Sequence, residues 1–309
     1  MSFRVTQSIL SNNMLRNINK SYKKLETLQE QMATNRQFSK PSDNPLGAMK
    51  SMQYRTQLFE NAAFQKNASE ALGWMEMTDG LISEAGDSLT RVKELLVQAT
   101  NDTLGEKERK AIAKELGQIK EHMGTVANAN INGRYLFSGT ATDQPPYSPG
   151  SETAEPPFQD GRFNGDAINN DLMEVEISKG IYIPMNVPGK ELFEHGEQGV
   201  FGVLDQIITD LSDPTKRGEE LSVHMAAVDA QKEHFSKIQS SLGGRVNRLE
   251  NASNRLEEQE VTMTAMLSEN EDIDIAKVIT QLTAQNALHN AALSTGAQVI
   301  QKTLVDFLG

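Results

Sequence analysis

The chain has 309 residues, a formal net charge of −12, 38% hydrophobic and only 6% aromatic side chains, and no cysteine. Without cysteine there is no disulfide, thiolate zinc site, iron–sulfur cluster or cysteine nucleophile, and the acid excess argues against broad nucleic-acid binding. No apolar run reaches the ~18 residues of a membrane span, and Met1 to Asn17 lack an apolar signal-peptide core, which argues against Sec-type export and leaves other routes open.

The first predicted helix carries Met14, Ile18, Ser21, Leu25, Leu28 and Met32 at alternating spacings of four and three, a heptad seam. No acidic residue precedes Glu26, whereas Arg4, Arg16, Lys20, Lys23 and Lys24 do; this basic start suits a partner-bound or export-recognised segment, or equally a frayed polar end. The pattern stops at Ser39-Lys40-Pro41-Ser42-Asp43-Asn44-Pro45. Asn44 there suits an N-cap, and Pro45 suits the first helical position, where no N–H is missed. A second helix runs from there to about Asn101, with the stripe Ala71, Trp74, Thr78, Leu81, Ala85, Leu89, Val92, Leu96 and Ala99. A third, after Gly105, carries Ile112, Leu116, Ile119, Met123 and Val126. Asn132-Gly133 predicts a tight turn and Arg134 to Phe137 a short strand.

The composition then shifts. Residues 140–220 hold 16 acidic and 5 basic side chains, and seven of the ten prolines fall between Pro145 and Pro188. Proline lacks an N–H and interrupts helices, so this stretch reads as a separate, solvated domain between two helical arms. Val175 and Ile177, then Ile181, Ile183 and Met185, alternate with polar residues across Lys179-Gly180, a predicted hairpin. Val203, Leu204, Ile207, Ile208 and Leu211 form a short helix before Asp213-Pro214. The chain thus divides into a helical arm 1–139, an acidic, proline-rich insert 140–220 and a helical arm 221–309.

In the second arm Val223, Ala227, Ala230, Phe235, Ile238 and Leu242 form a stripe that Val246, Leu249, Leu256 and Val261 extend. Glu269 to Asp274 is expected to open the last helix, because carboxylates complement a helix N-terminus. It is not a calcium loop, since Ile275 stands where the required glycine would be. From Val278 to Gly309 the only charged side chains are Lys302 and Asp306, while Leu282, Leu293 and Leu304 recur every 11 residues. Six amides argue against a lipid-facing helix, and the want of charge argues against a solvated one. Burial by other protein chains and burial within the monomer both fit.

No chemistry stands out. The five histidines are too far apart for a zinc pair, and no phosphate loop or nucleophile elbow occurs. The sequence thus implies no enzyme, cofactor or metal, and neither a nucleic acid nor a membrane as partner.

Several stretches carry a resemblance. They are Phe3-Arg4-Val5-Thr6, Leu25 to Thr34, Pro41 to Ala48, Asn132-Gly133-Arg134-Tyr135-Leu136-Phe137-Ser138-Gly139, Asp274 to Leu282, Leu293-Ser294-Thr295-Gly296 and Leu304 to Leu308. Together they resemble the flagellin-type axial proteins of the bacterial flagellum. The Asn132 to Gly139 stretch is closer to the hook–filament junction members than to flagellin. Asn44 departs from the family, where a second aspartate is expected, but still supplies a cap acceptor. The resemblance implies a mainly α fold with a small β-containing insert: long antiparallel helices, coiled-coil arms from both termini and an outer β-rich domain. It implies a structural, exported, self-assembling subunit, extracellular at the junction, with ends disordered in the monomer. Its partners would be hook-associated protein 1, flagellin, a ring of its own copies and a cytoplasmic export chaperone on the C-terminal helix. The assembly interface is expected at Met14, Ile18, Leu25, Leu28, Met32, Leu282, Leu293, Ile300, Leu304 and Phe307. Flagellin itself, and a soluble coiled-coil signalling module, are the alternatives; the proline-rich insert argues against the latter.

Overall fold

The computed structural model describes residues 2–100, 105–151, 160–166, 168–196, 198–213, 216 and 218–301. In chain order the elements are α1 (Ser2–Thr34), α2 (Pro45–Ala99), α3 (Glu106–Ala127), β1 (Asn130–Ile131), β2 (Arg134–Tyr135), β3 (Tyr147–Ser148), β4 (Arg162–Phe163), β5 (Glu174–Ser178), β6 (Ile181–Pro184), α4 (Gly189–Phe193), α5 (Gly199–Ser212), α6 (Gly218–Glu271) and α7 (Ile275–Gln301). The expected mainly α class holds: α2 and α6, with 55 and 54 residues, would each extend roughly 80 Å. The strands form three separate antiparallel pairs. Two compact units result, one of Asn61–Glu258 and one of Met1–Glu60 with Gln259–Gly309.

In the unit Asn61–Glu258, α2 and α6 run antiparallel. Asn61 Nδ2 donates to the Leu256 carbonyl at 2.9 Å, and Lys93 Nζ lies 2.6 Å from Asp229 Oδ1. The α2 stripe is buried as its spacing predicts, except that Leu81 is half-buried and Ile82 takes the inner place. The α6 stripe needs correction. Val223 and Ala230 face solvent, while Leu221, His224, Val228, Gln231, Phe235, Ile238 and Leu242 are buried. Counting back from Phe235 in steps of three and four reaches these positions. The inward polar groups find partners: His224 Nε2 lies 2.8 Å from Asp210 Oδ2, and Gln231 Nε2 donates to the His195 carbonyl at 2.9 Å, while Gln231 Oε1 is buried without a partner.

Aromatic side chains are scarce in the sequence but concentrated here. Phe137, Phe163, Phe193, Phe201, Phe235 and Tyr147 form a chain of ring contacts with centroids 4.9 to 5.8 Å apart. Tyr147 also donates its hydroxyl to Glu121 Oε1 at 2.6 Å. Its ring lies against Gly124, where a Cβ would come within 2.1 Å of Tyr147 Cε1, so only glycine fits. Against α5, the fully buried Lys120 meets Asp205 Oδ1 at 2.6 Å; burial raises the Asp205 carboxyl and Lys120 partly offsets it. Asn132 and Gly133, with φ of 53° and 81°, make the predicted turn between β1 and β2. The expected strand stops at Tyr135, because Leu136 and Phe137 leave the ladder to fill the core. The hairpin β5–β6 pairs Val175 with Ile183 around Lys179-Gly180, and Ile177 and Ile183 point inward.

In the unit of Met1–Glu60 with Gln259–Gly309, the Gly47 N–H donates to Asn44 Oδ1 at 3.0 Å, so Asn44 caps α2 as its sequence position predicts. The expectation that Glu269 to Asp274 opens the last helix is corrected. Glu269, Asn270 and Glu271 close α6, and α7 begins at Ile275. Asp274 alone caps it, accepting from the Lys277 N–H at 3.1 Å.

Candidate assembly surface

Helices α1 and α7 pack against each other. Near the middle of α1, Met14 Cε and Ile18 Cδ1 come close to Gly296. Further along, Gln285 Nε2 donates to Ser21 Oγ at 2.9 Å, and Tyr22 meets His289 with ring centroids 6.1 Å apart. At the base an antiparallel bridge joins Arg36 and Asp272. Residue numbers rise on one helix as they fall on the other, so the pair is antiparallel.

The spacing shows which faces meet. Among the described side chains of α1 up to Leu28 the less exposed positions are Ser11, Met14, Ile18, Ser21, Leu25 and Leu28; on α7 they are Val278, Leu282, Gln285, His289, Ala292 and Gly296. Both sets alternate steps of three and four, the coiled-coil period. The 11-residue stripe read from the sequence therefore does not form the seam. Leu282 lies on it, but Leu293 falls to one side and is 46% exposed, because a heptad seam passes through Ala292. Gly296 lets the backbones approach where Met14 crosses.

The seam uses only part of the apolar surface. At about 100° per residue, Leu15 and Tyr22 of α1 and Ile279 and Leu293 of α7 fall on one flank of the pair, and all four are exposed. On the other flank Leu288 is exposed beside Lys20 and Lys24. Along α7, Val278 and Gly296 are the buried residues among those described. Leu282, Gln285, His289 and Ala292 are half-buried, and the other described α7 side chains are exposed. Of the ten expected interface residues, Met14, Ile18, Leu25, Leu28 and Leu282 share the intramolecular seam, while Met32 and Leu293 are exposed. The Ile300 side chain, Leu304 and Phe307 lie outside the described residues.

The base of the pair is tied by a group that no local pattern reveals. Glu271 is 6% exposed. Its carboxylate accepts from Arg55 Nη2 at 2.7 Å and Nε at 3.2 Å, with Arg36 Nε at 3.5 Å. Burial pushes this carboxyl up, but Arg55, the Ser51 hydroxyl and Arg36 outweigh it and hold it below the ordinary carboxylate range. The Glu271 carbonyl accepts from the Gln37 N–H at 2.6 Å, and Asn270 Nδ2 donates to the Gly47 carbonyl at 2.9 Å. Arg55 and Glu271 stand 216 positions apart, so nothing in the sequence links them.

The surface is a helix pair with an exposed apolar flank, and among the described residues no three His, Asp or Glu are grouped to hold a metal. Residues 5–142 match the bacterial flagellin N-terminal helical region, and residues 225–308 match the bacterial flagellin C-terminal helical region. The chain belongs to the flagellin family. It is a structural component of the bacterial flagellum and not an enzyme, and hook and filament components are its general kind of partner. It is similar to flagellar hook-associated protein 3 of Escherichia coli K12, 23% identical over 93% of this chain and 94% of that one. It is similar also to a flagellin of Halalkalibacterium halodurans, 24% identical over 94% and 92%. Its fold resembles a solved flagellar hook-associated protein from Vibrio parahaemolyticus, with a TM-score of 0.66 at 20% identity, over 74% of this chain and 100% of that one.

Proposed function

We infer that this chain is a hook–filament junction subunit, exported and held outside the cell between hook-associated protein 1 and flagellin, in a ring of its own copies. The observation that carries the reading is the antiparallel terminal pair whose flank of Leu15, Tyr22, Ile279 and Leu293 stays open to solvent. Such a flank is covered when copies and adjoining subunits pack around it, each fully buried Leu or Ile contributing about 1.5–3 kcal/mol. Met32 and Leu293, exposed in the single chain, are then outer residues of the interface, and Ile300, Leu304 and Phe307, expected from the sequence to join it, lie outside the described residues. Met14, Ile18, Leu25, Leu28 and Leu282 hold the pair in the form that docks. The likeness to hook-associated protein 3, taken with the Asn132 to Gly139 stretch that resembles the junction members more than flagellin, supports the junction. The insert 140–220 serves as the outer domain between the arms 1–139 and 221–309. Helix α7, poor in charge, suits an export chaperone that covers it before secretion, and ends that order on docking would delay assembly until the template is present.

A second reading is flagellin, favoured by an equal likeness over the same span. Immunogold labelling of isolated flagella separates the two. Label confined to the hook–filament boundary is expected. Label along whole filaments assigns the chain to the filament instead, and absence of label from flagella refutes both.

A further inference from the structure

In the unit Asn61–Glu258, helices α3 and α5 pack against each other and bring an amine onto a carboxyl group. Lys120 is fully buried, and its Nζ donates to Asp205 Oδ1 at 2.6 Å. An aromatic wall flanks the pair. The Tyr147 ring lies against Gly124, one turn beyond Lys120 on α3. The same ring stacks on Phe201, one turn before Asp205 on α5, with centroids 4.9 Å apart. Asp205 also borders, with Arg162, an open cleft of about 220 Å³, and its side chain is 32% exposed. Burial pushes the Asp205 carboxyl up, and the opposing pull of Lys120 and Arg162 does not cancel it.

We propose that Lys120 and Asp205 are the site of an intramolecular isopeptide bond that fixes α3 to α5 covalently. Two charges stripped of water are costly to keep even when paired. Passing one proton from Lys120 Nζ to the carboxylate leaves an amine and a carboxylic acid. The Nζ lone pair then attacks Asp205 Cγ, a C–N bond forms and one C–O bond breaks. The departing oxygen leaves as water, with one proton from the acid and one from the nitrogen, so no oxidant, reductant or further reactant is consumed. Arg162, whose charge acts on Asp205, favours the negative charge that gathers on the carboxyl oxygen during the attack, and the cleft gives the water an exit. Packing holds the two groups at an effective concentration of about 10⁵–10⁸ M, which favours condensation over hydrolysis. Lys120 and Asp205 stand 85 positions apart, so the bond closes only after α3 and α5 have packed. The chain has no cysteine, so a disulfide cannot tie these helices.

The test is the intact mass of the purified full-length chain, shown to be folded by circular dichroism and kept overnight at neutral pH. The expected mass is that of the sequence less one water, about 18 Da. A tryptic digest should then contain one branched peptide in which fragmentation places the link between Lys120 and Asp205. The full sequence mass in the folded chain overturns the proposal. So does a lost water that peptide mapping places elsewhere, such as on a cyclised aspartate. K120R keeps the positive charge but lacks a nucleophilic amine, and it is expected to retain the full mass; the same lost water in K120R also overturns the proposal. Should K120R not fold, the unaltered chain still decides through its own mass and its branched peptide. Either result leaves the place of the chain in the flagellum untouched.

Discussion

Replacing Leu293 by aspartate distinguishes a flank that serves neighbours from one that serves the fold. Leu293 is 46% exposed in the single chain, so a neighbour covers about half of the side chain. Half of a leucine's burial is about 1 kcal/mol. Placing a carboxylate in the contact adds about 1–3 kcal/mol for the group it strips of water. The sum, about 2–4 kcal/mol per contact, corresponds to a loss of roughly 30- to 1,000-fold in association. Within the isolated chain the change falls on surface, where substitutions usually stay within about 0.5 kcal/mol. L293D is therefore expected to keep wild-type helicity and urea midpoint while vanishing from isolated flagella and abolishing swimming in soft agar. Wild-type incorporation and swimming would refute the assignment of this flank to assembly. A large fall in the urea midpoint would show that Leu293 works within the monomer.

The Glu271 hub predicts a pH dependence. Its carboxyl is lowered in the fold from the ordinary 4.5, so its stabilisation is complete above that value and is lost as pH falls through the lower folded value. E271Q is expected to cost about 1–3 kcal/mol at pH 7, and the gap between wild type and variant, measured by urea unfolding, should close as the pH drops below 4.5; a gap that stays constant contradicts the ion-pair account. G124A drives a methyl into the Tyr147 ring and should lower stability by about 1–3 kcal/mol. An unchanged thermal midpoint would mean that Tyr147 has room to move.

The sequence determined the local structure. Heptad spacing marked out α1, proline and asparagine fixed the start of α2, and Asn132-Gly133 made its turn. These depend on short-range causes: φ restriction, caps and side-chain period. Family membership was also legible, through motifs at both ends of the chain. What only tertiary structure decided is which stripe meets which. A helix with apolar residues at both heptad and 11-residue spacings offers two candidate seams, and periodicity cannot choose between them. The choice fell to the partner, because α1 offers a seven-residue seam and Gly296 admits Met14, which leaves Leu293 outside. For the same reason Glu269 and Glu271 went to the end of α6, where Arg55, distant in sequence, holds Glu271. Long-range pairs of this kind leave no period to read; they exist only once two remote segments have been brought together.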